Sequence, residues 1–238
     1  MVSAINKIFL LLVLLVNAPL VSAKDMDWPR ELFPDDAYVK VIAETMKFNG
    51  VPMKIWEFTA IAEYENVKEF YQRNWQLPAE GLNPGAPGFQ ITEAEGGCVI
   101  SRVDREFMIT VQLKKAESGQ SVKGNFAVSR LLREVSSAFE LGKDFPAMVG
   151  TEFINDIEAV DGQKKSRTIV ATSDAPYKSV VSFYRSTMKR KGWFEQTEQL
   201  QPDNRGIALM FVRASREMNV SISPENDKVN IVAVETRE

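Results

Sequence analysis

The 238-residue chain holds no histidine, one cysteine and a formal charge of −3, with 45% apolar and 26% charged residues. This globular composition excludes imidazole-dependent triads, Cys/His pairs and histidine zinc sites, and a single thiol excludes an internal disulfide or a cysteine metal cluster. The acidic balance argues against a nucleic-acid partner, which needs a concentrated positive field.

Residues 1–23 read as a cleavable secretory leader. Lys7 is its one charge, 8–16 is an apolar run, and Val21-Ser22-Ala23 offers the small residues that signal peptidase requires. Asn17 and Pro19 interrupt the run short of the ~20 apolar residues that a membrane span needs, so no stable span is expected after cleavage. Export without an internal disulfide points to the bacterial envelope, periplasmic or secreted.

Further along, alternation predicts strands over 38–46 and 53–61, joined through the turn signal Asn49-Gly50. A helix is expected over about 63–75, then strands near 89–92, 98–103, 107–113 and 121–128. Between helix and strands, Pro78, Gly81, Pro84, Gly85, Pro87 and Gly88 crowd a stretch that reads as an exposed loop. Residues 129–143 form a linker in which Leu131, Leu132, Val135 and Phe139 suit a short amphipathic helix.

Strands are then predicted over 151–160 and 166–172 about the turn Asp161-Gly162. Ser173 or Asp174 can cap a helix with Pro176 in its first turn, and Tyr177, Val180, Val181, Tyr184 and Met188 make one apolar stripe along it. Lys189-Arg190-Lys191 complements the negative end of the helix dipole and Gly192 ends the helix. Trp193 opens a meander: 207–212 is nearly all apolar, Met218, Val220 and Ile222 alternate with polar residues, and Glu225-Asn226-Asp227 turns the chain into 229–234.

Three short matches recur in order about 112 residues apart: Phe33-Pro34 with Phe145-Pro146, Phe70-Tyr71 with Phe183-Tyr184, and Arg102-x-x-Arg105-Glu106 with Arg213-x-x-Arg216-Glu217. The expected fold class is therefore α+β. Two tandem modules, 24–128 and 144–238, would each be an antiparallel sheet in β-β-α-β-β-β-β order with one helix on a face.

Each candidate site has a structural reading beside it. Cys98 aligns with a strand leucine and reads as a small buried hydrophobe. Arg102, Arg105, Arg213 and Arg216 bracket residues suited to hairpin tips; they are either solvated edge charges or two basic tips for an acidic partner or a phosphate. The loop residues Pro84, Gly85 and Pro87 are candidate partner contacts. Asn155-Asp156, Glu158 and Asp161 lack the alternating spacing of a calcium loop. Lys164-Lys165-Arg167 and Lys189–Lys191 could meet an anionic lipid or polymer but read as solvated faces, and Phe70, Tyr71, Phe183 and Tyr184 could form a stacking platform but read as core. No Gly-rich phosphate loop or ligand cluster marks a cofactor site, and none is expected.

The leading expectation is a non-enzymatic exported protein that binds another envelope protein, as an accessory factor in assembling a secretion, pilus or other envelope complex. The alternative is a periplasmic carrier holding a lipid or other small apolar ligand between helix and sheet. A carboxylate-based hydrolase is the third reading.

Overall fold

The computed structural model describes residues 27–43, 45–78, 88–115, 121–131, 139–200 and 206–238. The leader, the loop residues Pro84, Gly85 and Pro87, and most of the expected linker helix lie outside them. In chain order the elements are β1 (Tyr38–Val41), β2 (Thr45–Phe48), β3 (Val51–Ala60), α1 (Tyr64–Asn74), β4 (Gln90–Ala94), β5 (Gly97–Asp104), β6 (Phe107–Lys115), β7 (Val122–Arg130), β8 (Thr151–Asp161), β9 (Lys164–Ser173), α2 (Tyr177–Arg190), β10 (Phe194–Leu200), β11 (Ile207–Arg213), β12 (Arg216–Glu225) and β13 (Lys228–Arg237).

The expected α+β pair of sheet-plus-helix modules is corrected. Strand accounts for 55% and helix for 14% of the described residues, thirteen strands against two helices, so the fold is mostly a large antiparallel sheet. Alternation correctly marks which face of a strand is apolar, but it carries no information on which strand pairs with which. The stretch 38–46, expected as one strand, shows the consequence. It is divided into β1, which pairs with the far end of β3 (Tyr38 opposite Thr59), and β2, which pairs with the start of β3 and also with β8 (Phe48 opposite Ile157).

The chain clusters into two compact units, Met1–Val41 with Ile55–Ala138, and Ile42–Lys54 with Phe139–Glu238. In the first, β7, β6, β5 and β4 follow β3 in the sheet. Its core holds Phe58, Tyr71, Ile100, Phe107, Val111 and Phe126, each at most 1% exposed. Phe33 packs edge-on or tilted against Trp56, Phe58 and Phe126, with ring centroids 5.2–6.5 Å apart. Helix α1 buries Val67 and Tyr71, spaced i, i+4, against this face. The Tyr71 hydroxyl donates to the Leu32 carbonyl at 3.0 Å.

In the second unit the strand order is β10-β11-β12-β13-β9-β8-β2. Alternate residues of β11 (Ile207, Leu209, Phe211) and β12 (Met218, Val220, Ile222) face one core with Ile169, Ala171, Ile231 and Ala233. Burial of each large apolar side chain contributes about 1.5–3 kcal/mol. Helix α2 covers that face with Val180, Val181, Tyr184 and Met188, and the Tyr184 hydroxyl donates to the Pro146 carbonyl at 3.2 Å. Its N-cap is Pro176 without a side-chain cap; the Ser173 hydroxyl instead accepts from the Ala175 N–H.

Candidate functional site

The site is built at the C-terminal end of α2. Gly192 takes a φ of +79°, the left-handed conformation that glycine adopts without a Cβ penalty. Its N–H bonds the Lys189 carbonyl and the Trp193 N–H bonds the Met188 carbonyl, both at 3.0 Å. These are the two hydrogen bonds of a Schellman motif. The motif turns the chain so that the Trp193 indole, 6% exposed, lies under the rim of the sheet.

There the Arg213 and Arg216 guanidinium carbons stand 5.4 and 5.3 Å from the Trp193 ring centroid. The two arginines are directly opposite in the β11–β12 register, with Ala214 and Ser215 making the tip between them. Arg213 also donates to the Lys191 carbonyl at 2.9 Å, which caps the negative end of the helix. Arg216 is ion-paired with Glu235 on β13.

Below these groups is a cavity of about 240 Å³. Ile169, Met188, Trp193, Met218, Ala233 and Phe145 give it an apolar lining, and Asp144, Arg167, Lys191, Arg213, Arg216 and Glu235 add charged groups. Period-two geometry explains the layering. Arg167 and Ile169 are two apart on β9, and they face Glu235 and Ala233 in the β9–β13 register.

Arg167 is held from behind. Its Nε and Nη2 donate to the two Asp156 carboxylate oxygens at 2.9 and 2.6 Å, and Nη2 also reaches the Lys143 carbonyl at 3.0 Å. The Asp156 hydrogen bonds push the Arg167 pKa up, ahead of the opposing effect of burial. The Asp156 carboxylate also accepts the Gly142 N–H at 3.1 Å, and Asn49 exchanges backbone and side-chain hydrogen bonds with Asp156 at 2.8 Å. A β-bulge between Phe153 and Asn155 shifts the register just before Asp156, the kind of irregularity that re-aims a side chain.

The sequence candidates are divided by this geometry. Arg213 and Arg216 come together at the cavity. Arg102 and Arg105 do not share an equivalent hairpin: Arg102 and the bracketed Val103 and Asp104 lie within β5, and Arg105 itself is the tip residue, with φ +54°. Arg102 is half-buried over Trp75 at 5.7 Å, and burial pushes its pKa down. Arg105 pairs with Asp27 at 2.9 Å. The three loop candidates lie outside the described residues. Arg167, read as part of a solvated face, is instead clamped to a buried carboxylate. Cys98 is 1% exposed in the first core.

Sequence reasoning missed the pairing of Trp193 with Arg213 and Arg216, and the Asp156–Arg167 clamp. A Gly-Trp dipeptide after a helix was the available signal for the first. For the second, the Asp161-Gly162 turn announced the β8–β9 hairpin but not the bulge that sets Asp156 against Arg167.

A second cavity, about 250 Å³, is lined by Glu158, Ala159, Val160, Lys165, Ser166, Arg167, Arg216, Glu235 and Arg237. Its apolar side chains are Ala159 and Val160, and no aromatic residue lines it. No curated protein and no solved structure matches the chain. A START domain-like family model matches residues 152–229, which run from β8 into β13 and carry α2, Trp193, Arg213 and Met218.

Proposed function

We propose that the second unit binds a small apolar ligand in the cavity between the end of α2 and the sheet. The observation that carries this reading is the lining itself: Phe145, Ile169, Met188, Trp193, Met218 and Ala233 line an open cavity of about 240 Å³ at the edge of the core, beside the charged groups at its rim. Most of these residues fall within the START domain-like match. The volume is just below the ~300–1,000 Å³ range of drug-sized ligand pockets, so the ligand is one short chain or a small ring system.

On this reading the protein is a carrier, not an enzyme, and it works after export, in the periplasm or outside the cell. The protein-partner reading gains no geometry at Arg102 and Arg105, whose side chains are engaged with Trp75 and Asp27.

Titration with N-phenyl-1-naphthylamine, a neutral apolar dye, tests the reading. Saturable fluorescence enhancement that dodecan-1-ol competes away is expected. Met218→Phe fills the cavity and is expected to abolish the enhancement; Lys191→Trp, at an exposed position on the mouth, is expected to weaken it with the melting temperature unchanged. Absence of saturable enhancement, or full enhancement in both variants, overturns the proposal.

A further inference from the structure

Resting on that reading, we infer that the ligand is a single-chain amphiphile with an anionic head, a carboxylate or phosphate, which Arg213 receives at the mouth of the cavity. Four cationic side chains line the site, and their commitments differ. Arg167 is neutralised by Asp156, and Arg216 by Glu235. Among the described residues, no carboxylate lies within ion-pair distance of Arg213 or Lys191. Against them stands one acidic group of the lining that is not tied up with an arginine, Asp144. The uncommitted groups therefore sum to a positive mouth.

Arg213 is also preorganised. Its guanidinium carbon stands 5.4 Å from the Trp193 ring centroid, and the Lys191 carbonyl takes one of its N–H groups. A guanidinium has five donors in a rigid fork, so the remaining ones stay available for a two-oxygen anion, the geometry that a carboxylate or phosphate matches. The indole beside the arginine also forms part of the apolar wall. Head and tail sites are therefore contiguous, as an amphiphile requires. The cavity, about 240 Å³, is too small for a two-chain lipid to enter whole.

Isothermal titration of the mature chain with four twelve-carbon probes below their micellar ranges separates the outcomes. Dodecanoate is expected to bind at least about tenfold more tightly than dodecan-1-ol, the scale of hydrogen bonds to a charged group, and dodecyltrimethylammonium no more tightly than the alcohol. Dodecyl phosphate against dodecanoate tells which anion is preferred. In Arg213→Gln the dodecanoate-to-dodecanol affinity ratio is expected to fall to about one, with Arg213→Lys intermediate because it keeps charge without the fork. Equal binding of acid and alcohol by the wild-type chain, or an unchanged ratio in Arg213→Gln, overturns the anionic-head inference and leaves the apolar cavity standing. Failure of all four probes to bind overturns the cavity reading itself.

Discussion

The Asp156 carboxylate, 2% exposed, holds the Arg167 guanidinium through both oxygens at 2.9 and 2.6 Å. The pair joins β8 to β9. Through the Gly142 N–H and the Lys143 carbonyl it also fixes the chain that leads into Asp144 and Phe145. One wall of the cavity thus hangs on a buried charge.

Removing one partner of such a pair leaves the other without compensation in a poor solvent. Arg167→Met is expected to destabilise the second unit by about 3–5 kcal/mol, read as a lower urea midpoint with an unchanged slope. Asp156→Asn should cost less, because the Arg167 side chain is 29% exposed and keeps the Lys143 carbonyl. The double variant should be more stable than the sum of the single losses, the signature of direct coupling.

Tyr71 and Tyr184 are buried phenols, and desolvation raises both pKa values. The sign follows directly. An unfolded tyrosine ionises near pH 10 while the folded one holds its proton, so the stabilisation is present below pH ~10 and is lost as pH rises beyond it. Urea unfolding between pH 9 and 11 should show stability falling more steeply in the wild-type chain than in Tyr71→Phe/Tyr184→Phe. At pH 7 each Tyr→Phe change should cost about 1 kcal/mol, for the hydrogen bonds lost to the Leu32 and Pro146 carbonyls.

Gly96 and Gly97 are adjacent and serve different needs. Gly96 has φ +77° with open space around it, so Gly96→Ala should cost about 1–2 kcal/mol of backbone strain. A Cβ on Gly97 would meet the Leu113 carbonyl oxygen at 1.9 Å in the neighbouring strand. Gly97→Ala must therefore separate β5 from β6, and it is expected to lower the melting temperature more than Gly96→Ala does.

Burial raises the pKa of the Cys98 thiol, and the side chain is 1% exposed. Thiolate is the reactive form, so alkylation by iodoacetamide at pH 8 should be slow in the folded chain and fast in urea. Rapid alkylation without denaturant would mean that β5 opens readily.

Sequence and structure agree where the information is local. The alternation of β12, the stripe Val180-Val181-Tyr184-Met188, the Asn49-Gly50 turn and the stop at Gly192 each follow from backbone preferences and apolar spacing within a few residues. The β2–β8 pairing was illegible, because strand period defines faces and not neighbours. The Arg-x-x-Arg match was misleading for a related reason: equal spacing put Arg213 and Arg216 across a hairpin from each other but placed Arg102 inside a strand.

By itself, then, the sequence determined the chemistry excluded by the lack of histidine, the segments that form helix or alternate as strand, and the side chains that seek a core. Tertiary structure alone decided which charges meet. Arg167 finds Asp156 across a bulged strand, and Trp193 finds Arg213 and Arg216 after a glycine turn. Both lie within neighbouring segments, but local propensity does not set the bulge, the register or the side-chain packing that make the groups touch.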